Sequence, residues 1–259
     1  MRVVTWNLWG RFGPWEHRQG GIAAVLAATK ADVICLQEVW STEDGVDQAR
    51  TLSDALGFHM ARNPDRFHRG LSVGNAILSR WPIEVDETRT LPGDGHRRVV
   101  RADLRSPHGR VPVFCTHLDY RFDEGRIRQE QVGALVTYIS GHRGDPAVDR
   151  PVVLCGDFNA VPTADEIRLL TGQSPPPIQG LVFNDAWAAV GDGPGYTWDA
   201  TNPHLADAYW PRRRLDYVFV SWPRPKPVGN PLAAELIGTE PVDGVVPSDH
   251  YGVQVDLAD

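Results

Sequence analysis

Asp157 and Asn159 close the run Pro-Val-Val-Leu-Cys-Gly-Asp-Phe-Asn (151–159), where an apolar stretch stops at Gly156 and two polar groups follow one residue apart. Side chains two apart on extended backbone share a face. This strand end therefore aims a carboxylate and an amide at one point. A carboxylate can bind a hard cation or activate water, and an amide can orient what the carboxylate activates. An Asx-rich turn has the same composition, so the segment alone does not decide between a turn and a site.

The pattern recurs at other strand ends. Val3 to Trp6 ends at Asn7, Val33 to Leu36 at Gln37-Glu38, and Val111 to Cys115 at Thr116-His117, with Asp119 two further on. Asp216 opens Leu215 to Val220, and Ser248-Asp249-His250 precedes Tyr251 to Leu257. One cleft gathering these groups is more economical than a set of independent turns. Oxygen ligands without Cys-Cys or His-rich spacing suit Mg²⁺ or Mn²⁺ better than zinc. A hard cation polarises a phosphoryl oxygen, and a His beside a carboxylate is oriented and stabilised when protonated. There is no Gly-rich phosphate loop ending in Lys-Ser/Thr. The set points to metal-assisted hydrolysis of a phosphate ester.

The elements that must position these groups are strands over 2–6, 32–37, 73–79, 97–105, 110–116, 151–156, 215–220 and 251–257. Helical spacing joins Ile22, Val25, Leu26 and Thr29, and again Val132, Leu135, Val136 and Ile139. Thr163 with Glu166 has the form of a capping box, opening a short helix that ends near Gly172. Segments 171–180 and 222–231 read as surface loops. Many strands with few helices predict two packed sheets covered by helices, in a single domain over 1–259.

Composition is that of a soluble globular protein. No apolar run reaches the length of a membrane span, and the N-terminus lacks a cleavable signal pattern, so a cytoplasmic location is expected. Cys35, Cys115 and Cys155 lie in apolar runs and read as buried filler. A net charge of −7 argues against a wide basic surface for polymeric nucleic acid. Three local basic clusters remain: Arg97-Arg98 with Arg101, Arg121 with Arg126 and Arg128, and Arg212 to Arg214.

Ordered motifs make the chain recognisable: Thr-Trp-Asn-Leu (5–8), Leu-Gln-Glu-Val (36–39), Gly-Asn-Ala-Ile-Leu-Ser-Arg (74–80), Thr-His-Leu (116–118), Gly-Asp-Phe-Asn (156–159), Arg-Leu-Asp-Tyr-Val-Phe (214–219) and Ser-Asp-His (248–250). The set resembles the endonuclease/exonuclease/phosphatase superfamily, which includes DNase I-like nucleases, neutral sphingomyelinases and inositol polyphosphate 5-phosphatases. The resemblance implies a four-layer α/β/β/α sandwich of two mostly antiparallel sheets. It implies Glu38 as principal metal ligand, with Asn7 close by and Asp249 contributing. Asp157 would activate or align the nucleophilic water and Asn159 hold the water or a phosphate oxygen. His250, oriented by Asp216, would contact the scissile phosphate or transfer a proton, and His117 would bind a non-bridging oxygen. Asn75 matches a family position and is expected to contact substrate. Thr116-His117-Leu118 is unlike the Tyr-containing motif of abasic-site endonucleases, which disfavours that branch.

Around the site, Trp9 in the aromatic segment 8–15, Tyr120 after His117, and Arg214 are the expected substrate contacts, weighed against packing and surface solvation. The leading expectation is a Mg²⁺- or Mn²⁺-dependent phosphodiesterase on a small or lipid-derived substrate, with no stable membrane insertion and no obligate protein partner. A nuclease on DNA or RNA is the alternative. A non-catalytic phosphate-binding protein is the third, disfavoured because Glu38, Asp157 and His250 are all present.

Overall fold

Val3, Val33, Cys35, Val113, Cys115, Val153, Cys155 and Val218 meet in one apolar layer, the seam between two sheets. Residues of opposite parity on the same strands face outward and are also buried, as happens when a sheet is covered on both faces. The computed structural model describes residues 1–145, 149–208, 210–222 and 227–259. One sheet runs, edge to edge, through Pro231–Ile237 (β11), Gly252–Leu257 (β12), Arg2–Asn7 (β1), Val33–Thr42 (β2), Leu71–Ser79 (β4) and His59–Arg62 (β3). The other runs through Ile83–Thr90 (β5), Arg98–Ser106 (β6), Gly109–His117 (β7), Val153–Asp157 (β8), Asp216–Ser221 (β10) and Phe183–Asp185 (β9). Each sheet has one parallel pairing, β1 with β2 and β7 with β8, and is otherwise antiparallel.

Trp15–Thr29 (α1) and Gln48–Leu56 (α2) cover the first sheet, seating Ile22, Leu26, Ala49 and Leu52 on Val4, Trp6, Ile34 and Leu36. Gly125–Ser140 (α3) and Asp165–Thr171 (α4) cover the second, seating Val132, Leu135, Val136, Ile139, Ile167 and Leu170 on Phe114, Leu154 and Phe219. The result is the expected four layers, α/β/β/α. Ala186–Val190 (α5) is a short helix after β9. Among the described residues, no helix is long and apolar enough to cross a membrane.

The structure corrects several local expectations. β3, β5, β9 and β11 are the four sheet edges and lie outside the expected strands: β3, β5 and β9 are short or largely polar, and β11 opens on Pro231 at the end of the expected loop. Within the expected loop 222–231, residues 223–226 lie outside the described residues, and Pro231 already belongs to β11. The capping box at Thr163 does not form. The N-cap of α4 is Ala164, which has no side-chain cap, and Glu166 is instead buried against Arg128. Gly172 does end that helix, in the left-handed conformation favoured at this position.

Candidate active site

The parallel pairs set the end of β1 beside the middle of β2, and the ends of β7 and β8 beside each other, at one end of the sandwich. Asn7 is in register with Gln37, while Asp157 is in register with both His117 and Asp216. Gly156 makes the last step possible. Its φ is +153°, and a Cβ there would lie 2.0 Å from the Thr116 carbonyl oxygen, so only glycine lets β8 and β7 approach.

Glu38 is not at a strand end. β2 continues to Thr42, and register slips by one between Leu36 and Val39, so Gln37 and Glu38 together oppose Asn75. This bulge, with Glu38 at φ +55°, re-aims the carboxylate while Gln37 stays buried between the sheets. Gln37 Nε2 donates to Cys115 Sγ at 3.2 Å, and all three cysteines are buried and free.

Asp157 is the hub. Its Oδ2 accepts from Asn7 Nδ2 at 3.0 Å and lies 3.4 Å from His117 Nε2 and 3.9 Å from His250 Nε2. Its Oδ1 accepts from the Asn159 N–H at 2.8 Å, with Asn159 held at φ +49° and its Nδ2 donating to the Leu118 carbonyl. His250 Nδ1 donates to Asp216 Oδ2 at 2.8 Å, leaving Nε2 toward Asp157. Asn7 Nδ2 also faces Glu38 Oε1 at 3.3 Å, and its Oδ1 accepts from the Trp9 N–H at 2.9 Å. Asn7 therefore bridges two acids and keeps one oxygen lone pair for a ligand.

Burial, reinforced by Asp216, pushes the Asp157 carboxyl up to about 7, against the pull of His250 and Asn7. Burial also pushes Asp249 up to about 6, with His250 opposing and Glu38 adding to the rise. The two histidines diverge. Burial, Arg97 and His250 hold His117 well below its usual value. Burial acts downward on His250 too, but Asp216, Asp249 and Asp157 outweigh it and hold it well above.

The donor set fits a hard divalent cation. Glu38 has no ion-pair partner among the described residues, and the buried Asp216 Oδ1 has no hydrogen-bond partner. Asp157, Asp216 and His250 each offer a ligand atom within 4.8 Å of the others. This group could hold a metal ion, and it shares no residue with Glu38, Asn7 and Asp249, the ligands the resemblance implies.

Other expected contacts are placed differently. Arg214 is buried, makes an ion pair of 2.8 Å with Asp185 and lies against the Tyr217 ring, so its guanidinium is committed to tying the start of β10 to the start of α5. Trp9 is half-buried, with its ring against His204, Phe12 and Gly13. Tyr120 is exposed. Asn75 is buried beside the bulge and donates to the Arg98 carbonyl at 3.0 Å.

Arg18 escaped sequence reasoning. Fully buried in α1, it donates to the carbonyls of Leu8, Trp9, Gly10, Phe12 and Pro247 at 2.7–3.1 Å. It thus fastens the loop after Asn7 to the segment before Asp249. Burial lowers its pKa to about 10, against the attraction of Asp249 and Glu38. The signal was present: Arg18, Ile22, Leu26 and Thr29 share one helical face, and a cation at an apolar phase needs internal partners. Ser248 was also under-read, its hydroxyl donating to the Asn7 carbonyl at 2.7 Å.

A family model described as "Endonuclease/Exonuclease/phosphatase family" matches residues 4–250. The chain belongs to this family. Human "Protein angel homolog 2" is 31% identical over 162 residues, covering 57% of this chain and 29% of that protein. "Inositol phosphosphingolipids phospholipase C" of Schizosaccharomyces pombe is 28% identical over 214 residues, covering 73% of this chain and 46% of that protein. The chain thus matches less than half the length of either relative. The crystal structure of D. rerio TDP2 complexed with single strand DNA product superposes with a TM-score of 0.80 at 21% identity, covering 98% of this chain and 97% of that one. This likeness shows the DNase I-like fold. The family's description names endonucleases, exonucleases and phosphatases.

Proposed function

We propose that the protein is a divalent-metal-dependent phosphodiesterase that hydrolyses a small or lipid-derived phosphate ester by in-line attack of water, acting in the cytoplasm as a single domain. The observation that carries this is the convergence on Asp157: one buried carboxylate faces an amide and two histidines at 3.0–3.9 Å. Burial holds its pKa near neutrality, where a general base works best.

In this reading Asp157 takes a proton from the attacking water, and Asn159 locks the carboxylate through its N–H while its side chain orients the water. His250, fixed by Asp216, presents Nε2 to the scissile phosphate and stabilises its developing charge. His117, held neutral, presents Nε2 to a non-bridging oxygen. Glu38 and Asp249 would hold Mg²⁺ or Mn²⁺, with Asn7 aligning Glu38. Bound there, the ion withdraws charge from the phosphoryl and leaving oxygens. In this reading Asn75, beside the Glu38 bulge, would contact the substrate. The net charge of −7 and the sphingolipid-named relative favour a small or lipid-derived ester over polymeric nucleic acid.

One screen tests this directly: metal-supplemented turnover of bis(4-nitrophenyl) phosphate, phospholipids, inositol phosphates and oligonucleotides. The expected result is turnover of the aryl or lipid-derived diester with Mg²⁺ or Mn²⁺, abolished by chelator. Cleavage confined to oligonucleotides and weakening steeply with salt would make the protein a nuclease. No turnover of any ester would make it a binding protein.

A further inference from the structure

Seven of the nine arginines in the three basic clusters are committed to internal partners, such as Arg98 to the Pro64 carbonyl, Arg128 to Glu166 and Arg212 to Asp199. Arg97 and Arg213 are the other two. Neither guanidinium has an ion-pair or hydrogen-bond partner among the described residues, and each lies over exposed aromatic rings. Arg97 sits 5.7 Å from the Tyr120 ring, and Arg213 sits 4.2 Å from Phe122 and 5.6 Å from Trp210. Tyr120, Phe122 and Trp210 are 64%, 47% and 51% exposed, and the Phe122 and Trp210 rings pack at 4.4 Å with their planes tilted by 42°.

Both pairs flank the loop that follows His117. Arg97 is two residues before Val99, which is in register with Thr116, so it lies at the catalytic end of β6. Its charge is felt at His117. Arg213 is three residues before Asp216, in register with Asp157. A guanidinium laid flat on a ring keeps its edge N–H groups free for phosphate oxygens, while the open ring face can stack on another plane. In a chain of net charge −7, two unpaired cations beside an acidic cleft make a local field that attracts a second anion.

We propose that Arg97 and Arg213, with Tyr120, Phe122 and Trp210, form a recognition rim beside the catalytic centre. It takes substrates that carry a second phosphate next to a planar ring. This rests on the phosphodiesterase reading of the cleft and adds selectivity to it.

Two measurements on the full chain test it. The first compares kcat/KM for thymidine 5′-(4-nitrophenyl phosphate) with and without a 3′-phosphate. Wild type should prefer the 3′-phosphorylated ester by roughly tenfold or more, and the Arg97→Ala/Arg213→Ala variant should lose that preference. Arg126→Ala, on an exposed arginine paired with Glu130, should keep it. The second needs no turnover: calorimetric binding of thymidine 3′,5′-bisphosphate to metal-free protein should weaken roughly tenfold in the double variant. Turnover with no preference for the second phosphate, or a preference and affinity untouched in the double variant, overturns the rim and leaves the phosphodiesterase reading standing. Arginine-dependent binding without turnover of either ester does the reverse. Arginines needed for phosphatidylserine vesicle binding but not for the bisphosphate would also overturn the proposal, assigning the rim to a membrane surface.

Discussion

Replacing Arg18 by Met should be among the most damaging changes outside the catalytic groups. Methionine fills most of the volume but donates no hydrogen bond. The carbonyls of Leu8, Gly10 and Pro247 are bonded to Arg18 in buried surroundings at 2.7–3.0 Å, whereas those of Trp9 and Phe12 are partly accessible to water. Orphaning a buried acceptor costs about 1–3 kcal/mol, which gives about 3–9 kcal/mol for three. Relief of the guanidinium's own burial, marked by its lowered pKa and its unpartnered Nε, offsets part of this. The expected loss is about 3–5 kcal/mol, the range for breaking a buried charged network. Urea unfolding with an unchanged m-value reads it. Hydrogen exchange should show residues 8–13 opening first, because the loop is tied through Arg18. Arg18→Lys, which keeps the charge but offers three donors, should fall between. A loss in Arg18→Met below about 1 kcal/mol, with unchanged exchange in 8–13, would refute the reasoning.

Other outcomes follow from the same geometry. In metal-free protein, NMR titration should find His250 protonated above the ordinary value of about 6.5 and His117 still neutral below it. Because the folded pKa of His250 is raised, its pairing stabilises fully below pH 6.5 and is lost as pH rises through the folded value; Asp216→Asn should lower that value and remove the pH-dependent gain. Gly156→Ala should yield little folded protein on expression, since the added Cβ meets backbone at 2.0 Å that cannot move aside. Arg214→Ala should cost about 3–5 kcal/mol in urea unfolding by leaving Asp185 buried and unpaired, with little change in the KM of any ester that is turned over.

The layered sandwich was legible because its central strands carry dense apolar runs and the α1 and α3 faces repeat at helical spacing. Edge strands were missed because one side faces solvent: β5 reads Ile-Glu-Val-Asp-Glu-Thr-Arg-Thr, with little to distinguish it from a charged loop. The site groups could be picked out as polar residues closing apolar runs. Their geometry could not. The bulge that turns Glu38 depends on pairing with β4, and Arg214 reads as surface until Asp185 is brought beneath it by β9. Arg97 and Arg213 differ from their neighbours only in lacking a partner, which no linear pattern records.

Asp157→Asn tests the catalytic assignment most directly. The amide matches the carboxylate in size, so folding can be verified by an unchanged unfolding midpoint or a rise, since a buried carboxyl held near 7 is relieved of charge. With saturating Mg²⁺ or Mn²⁺, kcat for bis(4-nitrophenyl) phosphate should fall by roughly 10²–10⁴-fold, the contribution of a positioned general base. A folded variant that keeps activity within about tenfold of wild type would contradict the role of Asp157 as the base.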